Sequence, residues 1–132
     1  MEYRFIFKVK MFSTTALSTH LLQLVEQCQF DTIYHEHFSY LSLIAVERIF
    51  AANGLVVFDV EELTTHGGSL RVYAQRSDTG RHEVRARVAQ VLEAEKSSGM
   101  LRADHYRDFQ ERTNRVKYEL ARFLLDAKRD GK

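Results

Sequence analysis

The side chains best suited to proton chemistry are concentrated in one short segment, residues 34–40, which holds two histidines, a glutamate and two tyrosines. Histidine is the side chain whose ordinary pKa lies near neutral pH. A histidine beside a glutamate can be held in one tautomer as a general base, and a nearby tyrosine can donate a hydrogen bond to an oxyanion. This composition favours removal of a proton from a carbon next to a carbonyl group.

The same segment has two other interpretations. His35 and His37 could simply hydrogen-bond the backbone around a loop. They could also bind zinc, which takes at least three protein ligands. The third ligand would be Glu36, His20 or His66, although the spacing does not match the His-Glu-x-x-His pattern of zinc hydrolases.

A second segment combines a glycine pair with polar side chains: His66, Gly67, Gly68, Ser69 and Arg71. One interpretation is a substrate-binding loop, because glycines let backbone amides approach a ligand closely. The other is a hairpin turn that requires positive φ angles. A glycine pair taken alone favours the hairpin turn.

Composition is that of an ordinary water-soluble domain. The chain has 132 residues, of which 45% are hydrophobic and 28% charged, and its net charge of +1 gives no reason to expect a nucleic-acid partner. A single cysteine, Cys28, excludes an internal disulfide framework and favours a cytoplasmic setting. The apolar runs are much shorter than the roughly 20 residues of a membrane-spanning helix, so no membrane partner is expected.

The first half of the chain predicts a strand followed by two helices. Strand formers fill residues 3–10, and residues 13–15 are interpreted as a break. Ser39 or Ser42 can cap the second helix, which ends at Asn53-Gly54. The first helix is predicted from apolar residues at helical spacing, namely Leu17, Leu21, Leu24, Val25 and Cys28.

Two strands follow the second helix. Residues 55–60 are almost continuously apolar, which is typical of a strand covered on both faces. Alternation in residues 70–75 predicts another strand, paired antiparallel with the first across the Gly67-Gly68 loop. The order of strand, helix, helix, strand, strand predicts the closing half of an α/β sheet.

Two helices are predicted after residue 81. The first ends at residues 97–99, and a longer one runs from about Arg102 to Lys128. Packing of the longer helix against the chain's own sheet or preceding helix is the favoured interpretation, and self-association is the alternative. Its apolar positions repeat at intervals of three and four residues, as in a heptad seam: Tyr106, Phe109, Thr113, Val116, Leu120, Phe123 or Leu124, and Ala127.

The motifs and their order closely resemble those of the sugar C-methyltransferases. The resemblance covers roughly residues 21–130 and is carried by three motifs, QFDTIYHEHFSYLS at 29–42, NGL at 53–55 and THGGSLRVYA at 65–74.

The resemblance implies an activity and a site. Family members use S-adenosylmethionine to methylate a carbon of nucleotide-linked keto-deoxysugars: a base removes the proton beside the ketone, and the enolate attacks the methyl group. By motif position His37 is the base, assisted by Glu36 and Tyr34. The loop of His66, Gly67, Gly68, Ser69 and Arg71 borders the substrate, and His35 receives no role.

The resemblance also implies a division of the chain. Residues 1–80 correspond to the second half of a Rossmann-like class I methyltransferase domain, and residues 81–132 to a helical segment leading to a C-terminal domain. The chain lacks the cysteine cluster of the family's zinc module and any Gly-x-Gly loop. We therefore expect a family fragment that binds no cofactor and is inactive alone, with missing methyltransferase segments or a second copy as partners. The alternative is a non-catalytic interaction module that binds through its C-terminal helices.

Overall fold

The computed structural model describes residues 13–35, 39–64 and 67–132. The strand predicted at residues 3–10 lies outside these residues. Strands and helices alternate in the first part of the described chain, and helices alone form its end. In chain order the elements are β1 Ser13–His20, α1 Leu21–Glu26, a 3-10 turn Phe30–Thr32, β2 Tyr40–Leu41, α2 Leu43–Ala52, β3 Leu55–Leu63, β4 Ser69–Arg76, α3 Ala86–Ser97, α4 Asp104–Arg107 and α5 Phe109–Arg129.

The strands of the described residues form one mixed four-stranded sheet with the order β2-β1-β4-β3. β1 is parallel to β2 and antiparallel to β4, and β4 is antiparallel to β3, whose register shifts between Val57 and Asp59. The predicted α/β fold, with a closing antiparallel hairpin followed by helices, is confirmed.

The start and end of α2 agree with their local signals. The Ser42 hydroxyl accepts a hydrogen bond from the Ala45 N–H at 3.1 Å, as expected of a helix N-cap. The helix stops at Asn53, and Gly54 follows with φ +70°. A left-handed residue after a helix is where glycine is preferred, so Asn53-Gly54 ends α2 as predicted.

The predicted break at residues 13–15 and the helix starting near Leu17 are wrong. Residues 13–20 form β1, which is paired with β4 from Ser13 to Thr19 and with β2 at its end. Helical spacing of Leu17 with later leucines was a local signal, whereas the strand is stabilised by pairing with residues of β4 that are 50 to 62 positions away. The helix therefore begins only at Leu21.

The core lies on one face of the β3-β4 hairpin, where α2 and α3 pack against it. The expectation that β3 is covered on both faces is wrong, since Val56 is 37% exposed and the opposite face of the hairpin carries polar side chains. The buried cluster consists of Leu43, Val46, Val57, Val60, Leu70, Val72, Val88 and Val91.

The long C-terminal helix differs from its prediction in two ways. It is divided at Asp108, where φ −88° and ψ 0° separate α4 from α5. The beginning of α5 is hydrogen-bonded to residues in and just after α1: Arg112 Nη1 donates to the Glu26 carbonyl at 3.2 Å, and the Thr113 hydroxyl lies 3.4 Å from Cys28 Sγ.

Beyond Thr113 the apolar seam of α5 is exposed. Val116 is 44%, Leu120 57% and Phe123 67% exposed, and α5 has no buried residue. The interpretation that this seam packs against the chain's own sheet or helix is therefore wrong for the part of α5 beyond Thr113. Within those residues, no helix is long and apolar enough to cross a membrane.

Candidate active site

The two segments singled out from the sequence meet at one edge of the sheet. Parallel pairing places the ends of β1 and β2 together, with His20 opposite Leu41. Antiparallel pairing brings the start of β4 to the same edge, with Ser69 opposite Thr19. Ligands of α/β sheets bind at the carboxyl ends of the parallel strands. The glycine loop, together with the residues that flank the segment 34–40, therefore lies where such a ligand would bind.

The glycine loop is packed against the residues that precede the segment 34–40. The Gln29 side-chain amide donates to the Gly67 carbonyl at 2.7 Å. Gly67 and Gly68 have φ +77° and +124°, and a Cβ on either would collide with the side chain of Gln29 or Gln23, respectively. Positive φ, as expected for a hairpin turn, favours glycine at both positions, and a Cβ would in addition displace the end of a glutamine side chain. The groups that approach are glutamine side chains of the chain itself.

Tyr40 holds the start of the segment 34–40 by hydrogen bonds. Its hydroxyl donates to the Thr32 carbonyl at 3.1 Å and accepts from the Tyr34 N–H at 3.3 Å. The Tyr34 side chain is 41% exposed, and its ring is edge-on to that of His35 at 6.4 Å between centroids. The proposed base His37, the assisting residue Glu36 and the loop residue His66 lie outside the described residues.

The remaining loop residues differ in exposure. Ser69 is buried at the first position of β4. Arg71 is half-exposed, and its guanidinium donates to Glu61 at 3.0 Å, while the Tyr73 hydroxyl donates to the same carboxylate at 2.9 Å. Hydrogen bonding to Tyr73 and Glu61 raises the pKa of Arg71, so this side chain is a permanent cation on the polar face of the hairpin.

A buried polar pair, His20 and Glu95, lies beside this edge; the sequence singled out only His20 of the two, as a possible zinc ligand. His20 is 2% exposed and Glu95 is fully buried. His20 Nδ1 is 3.5 Å from Glu62 and its Nε2 is 3.9 Å from Glu95, and neither nitrogen has a hydrogen-bond partner among the described residues. Burial lowers the His20 pKa below 6.5, although Glu62, Glu95 and Glu26 oppose the shift.

The sequence did contain a signal for Glu95. It follows Val91 by four positions and therefore lies on the apolar stripe of α3, where a charged residue is unusual. His20 also lines an open pocket of about 490 Å³ between β3 and α3, which contains none of the catalytic or substrate-binding residues predicted from the sequence. No group of three or more potential metal ligands occurs in the part of the chain that the structure describes. The zinc interpretation, which needs His37, stays a prediction.

Comparison with known proteins gives the family. A family model described as the C-methyltransferase C-terminal domain matches residues 64–132, which is more than half of the chain. The chain belongs to the C-methyltransferase family. The resemblance predicted from the motifs is thereby confirmed.

A curated relative supports the same assignment for this C-methyltransferase chain. C-methyltransferase NovU of Streptomyces niveus is 42% identical over 113 residues, which cover 86% of this chain and 27% of the relative. The chain thus spans about a quarter of the length of that protein. The division at residues 80/81 stays a prediction.

Proposed function

We propose that this chain is the substrate-binding and base-carrying part of an S-adenosylmethionine-dependent C-methyltransferase that acts on a nucleotide-linked keto-deoxysugar. Its chemical contribution is removal of the proton from the carbon beside the ketone. That proton is acidic because its loss gives an enolate, whose oxyanion a hydrogen-bond donor can stabilise.

The observation that carries the proposal is the contact between the two segments. Gln29 is the first residue of the motif at 29–42 that contains Tyr34 and His37, and its amide donates to the Gly67 carbonyl at 2.7 Å. Residues far apart in sequence are thus fixed at one edge of the sheet. A base and a substrate-binding loop have to be adjacent in this way if one substrate is to reach both.

The roles proposed for individual residues follow from their chemistry. His37 is the base, Glu36 orients it, and Tyr34, which is 41% exposed, donates a hydrogen bond from its hydroxyl to the oxyanion. On the substrate side, Ser69 and Arg71 supply polar contacts, and the Arg71 guanidinium, which also binds Glu61 at 3.0 Å, is a donor that suits a ligand carrying phosphates. The remaining members of the proposed substrate-side set are His66, Gly67 and Gly68.

The described residues do not fit the methyl donor. β1 passes into α1 at His20-Leu21 without a glycine, and the first amides of α2 are already occupied by the Ser42 hydroxyl and the Glu95 carboxylate. A donor loop of the Gly-x-Gly type needs glycine at such a turn. We therefore assign donor binding to segments outside this chain and expect no methyl transfer by the chain alone.

Proton removal can be tested without the methyl donor. The chain is incubated in D₂O with a nucleoside-diphosphate-linked keto-deoxysugar, and loss of the proton signal beside the ketone is followed by NMR. The chain should accelerate exchange at one carbon, which identifies the position of methylation. His37→Asn should lower the rate ~10²–10⁴-fold, the usual contribution of a general base.

His35→Asn is the matched control, because it removes a histidine of the same motif to which no role is assigned. It should change the exchange rate by less than about twofold relative to the wild-type chain, a much smaller change than the loss of a general base causes. Wild-type exchange no faster than in buffer would refute the proposed function. Equal loss in both histidine variants would remove His37 as the specific base.

The exposed seam of α5 favours a second candidate, an interaction module that pairs with a second copy. Val116, Leu120 and Phe123 are all more than 40% exposed on one helix face. Sedimentation at high micromolar concentration should then show a dimer that Leu120→Glu disrupts. Tyr118→Glu, the same kind of change on the opposite face, should not disrupt it, and a monomeric wild-type chain would contradict this candidate.

A further inference from the structure

Glu95 is a buried carboxylate with two backbone partners. It lies on α3 and is 0% exposed. Its Oε1 accepts the Leu43 N–H at 2.7 Å and its Oε2 accepts the Ile44 N–H at 2.9 Å. These are the first two residues of α2. The charge is therefore compensated by the positive end of a helix, which is a favourable position for an anion.

This arrangement completes the cap of α2 from a distant element. The first N–H groups of a helix have no partner within the helix. Ser42 supplies the partner of Ala45 from within the segment, as local caps do. The partners of Leu43 and Ile44 come instead from a residue 52 and 51 positions later in the chain.

The first turn of α2, which Ser42 and Glu95 cap, follows shortly after the segment 34–40. β2, at Tyr40–Leu41, and Ser42 connect that segment to α2. At the other end of the segment, the Tyr40 hydroxyl donates to the carbonyl of Thr32, two positions before the segment begins. Glu95 thus fixes the point where the chain leaves the segment, while Tyr40 fixes the point where it enters.

His20 connects the same carboxylate to the glycine loop. Its ring Nε2 is 3.9 Å from Glu95 Oε1, and its backbone N–H donates to the Gly68 carbonyl at 3.2 Å. The fully buried Glu95 carboxylate therefore binds the start of α2, which follows the segment 34–40, and lies close to His20, which holds the glycine loop.

We propose that Glu95 is a positioning residue of the site: it orients the segment that carries the base relative to the glycine loop, without touching the substrate. This inference rests on the proposed function for its catalytic consequence. Its structural content, a carboxylate that holds the Leu43 and Ile44 amides, can be tested independently of activity.

The first test uses the wild-type chain. Amide hydrogen exchange is measured for Leu43 and Ile44 and compared with Ala86 and Arg87, the equivalent positions of α3, whose N-cap Arg85 makes no side-chain cap bond. Leu43 and Ile44 should exchange at least about tenfold more slowly, because hydrogen-bonded amides open only by local unfolding. Equal exchange rates at the two helix starts would overturn the proposal.

The second test replaces the carboxylate. In Glu95→Gln only one oxygen can accept, so one of the two amides faces a donor. Its resonance should shift, and kcat for proton exchange beside the ketone should fall at least about tenfold with little change in KM, because misplacement of a catalytic group lowers turnover. Glu93→Gln, an exposed change on the same helix, should alter neither quantity.

Val46→Ala separates positioning from loss of stability, because Val46 is buried in α2 but does not contact the carboxylate by any hydrogen bond. It should lower stability while kcat stays near the wild-type value. A fall in kcat equal to that of Glu95→Gln would overturn the positioning role. If the wild-type chain exchanges no substrate proton, the proposed function fails. The hydrogen-exchange rates of the Leu43 and Ile44 amides then remain as the test of whether Glu95 holds the start of α2.

Discussion

Gly68→Ala tests whether the glycine loop is as tightly packed as the structure indicates. Gly68 has φ +124°, a conformation that residues with a Cβ rarely adopt and that costs them about 1–3 kcal/mol. The new Cβ would also collide with the Gln23 side chain. Moving that side chain away from its rotamer costs about 0.5–1.5 kcal/mol. Together these terms predict that the free energy of unfolding falls by about 1.5–4.5 kcal/mol.

Two further variants separate the backbone cost from the collision. Gly54 has φ +70°, and nothing lies within 4 Å of the Cβ that Gly54→Ala would add. Only the backbone cost of about 1–2 kcal/mol therefore applies to this variant. In a double-mutant cycle, Gln23→Ala should relieve about 1 kcal/mol of the loss caused by Gly68→Ala. The assay is urea unfolding. A loss for Gly68→Ala no larger than for Gly54→Ala, with no coupling to Gln23, would refute the close approach.

Two other predictions concern the groups at the same sheet edge. Because burial lowers the His20 pKa below 6.5, the unfolded chain binds the proton more readily, and the free energy of unfolding should decrease as pH falls below 6.5, by at most about 1.4 kcal/mol per pH unit. His20→Gln should flatten this dependence in denaturation curves measured at several pH values; an unchanged slope would contradict the assignment. Ser42→Ala should lower the free energy of unfolding by about 1 kcal/mol through loss of the α2 cap, and a neutral effect in urea unfolding would show that Ser42 does not cap the helix.

Features with a local cause were predictable from the sequence. Ser42 and Asn53-Gly54 mark the ends of α2 by side-chain capping and a left-handed turn, and both act within a few residues. The β3-β4 hairpin was predictable for the same reason, because alternation and a glycine pair are local patterns. β1 was not predictable, since its strand depends on pairing with β4, which lies far along the chain.

The candidate site shows the same limit. The motif predicted which side chains could do the chemistry, and the glycine pair predicted a turn. The contact of Gln29 with Gly67, and of Glu95 with the first amides of α2, join residues 38 to 52 positions apart, and no local pattern encodes such pairs. What could have been noticed is that Glu95 interrupts the apolar face of α3.

The most direct test of the central claim is the rate of solvent exchange at the carbon beside the ketone of a nucleotide-linked keto-deoxysugar, measured by NMR at saturating substrate. The wild-type chain and His35→Asn should catalyse this exchange, and His37→Asn should slow it by ~10²-fold or more. Exchange at the buffer rate with the wild-type chain, or full exchange with His37→Asn, would contradict the central claim.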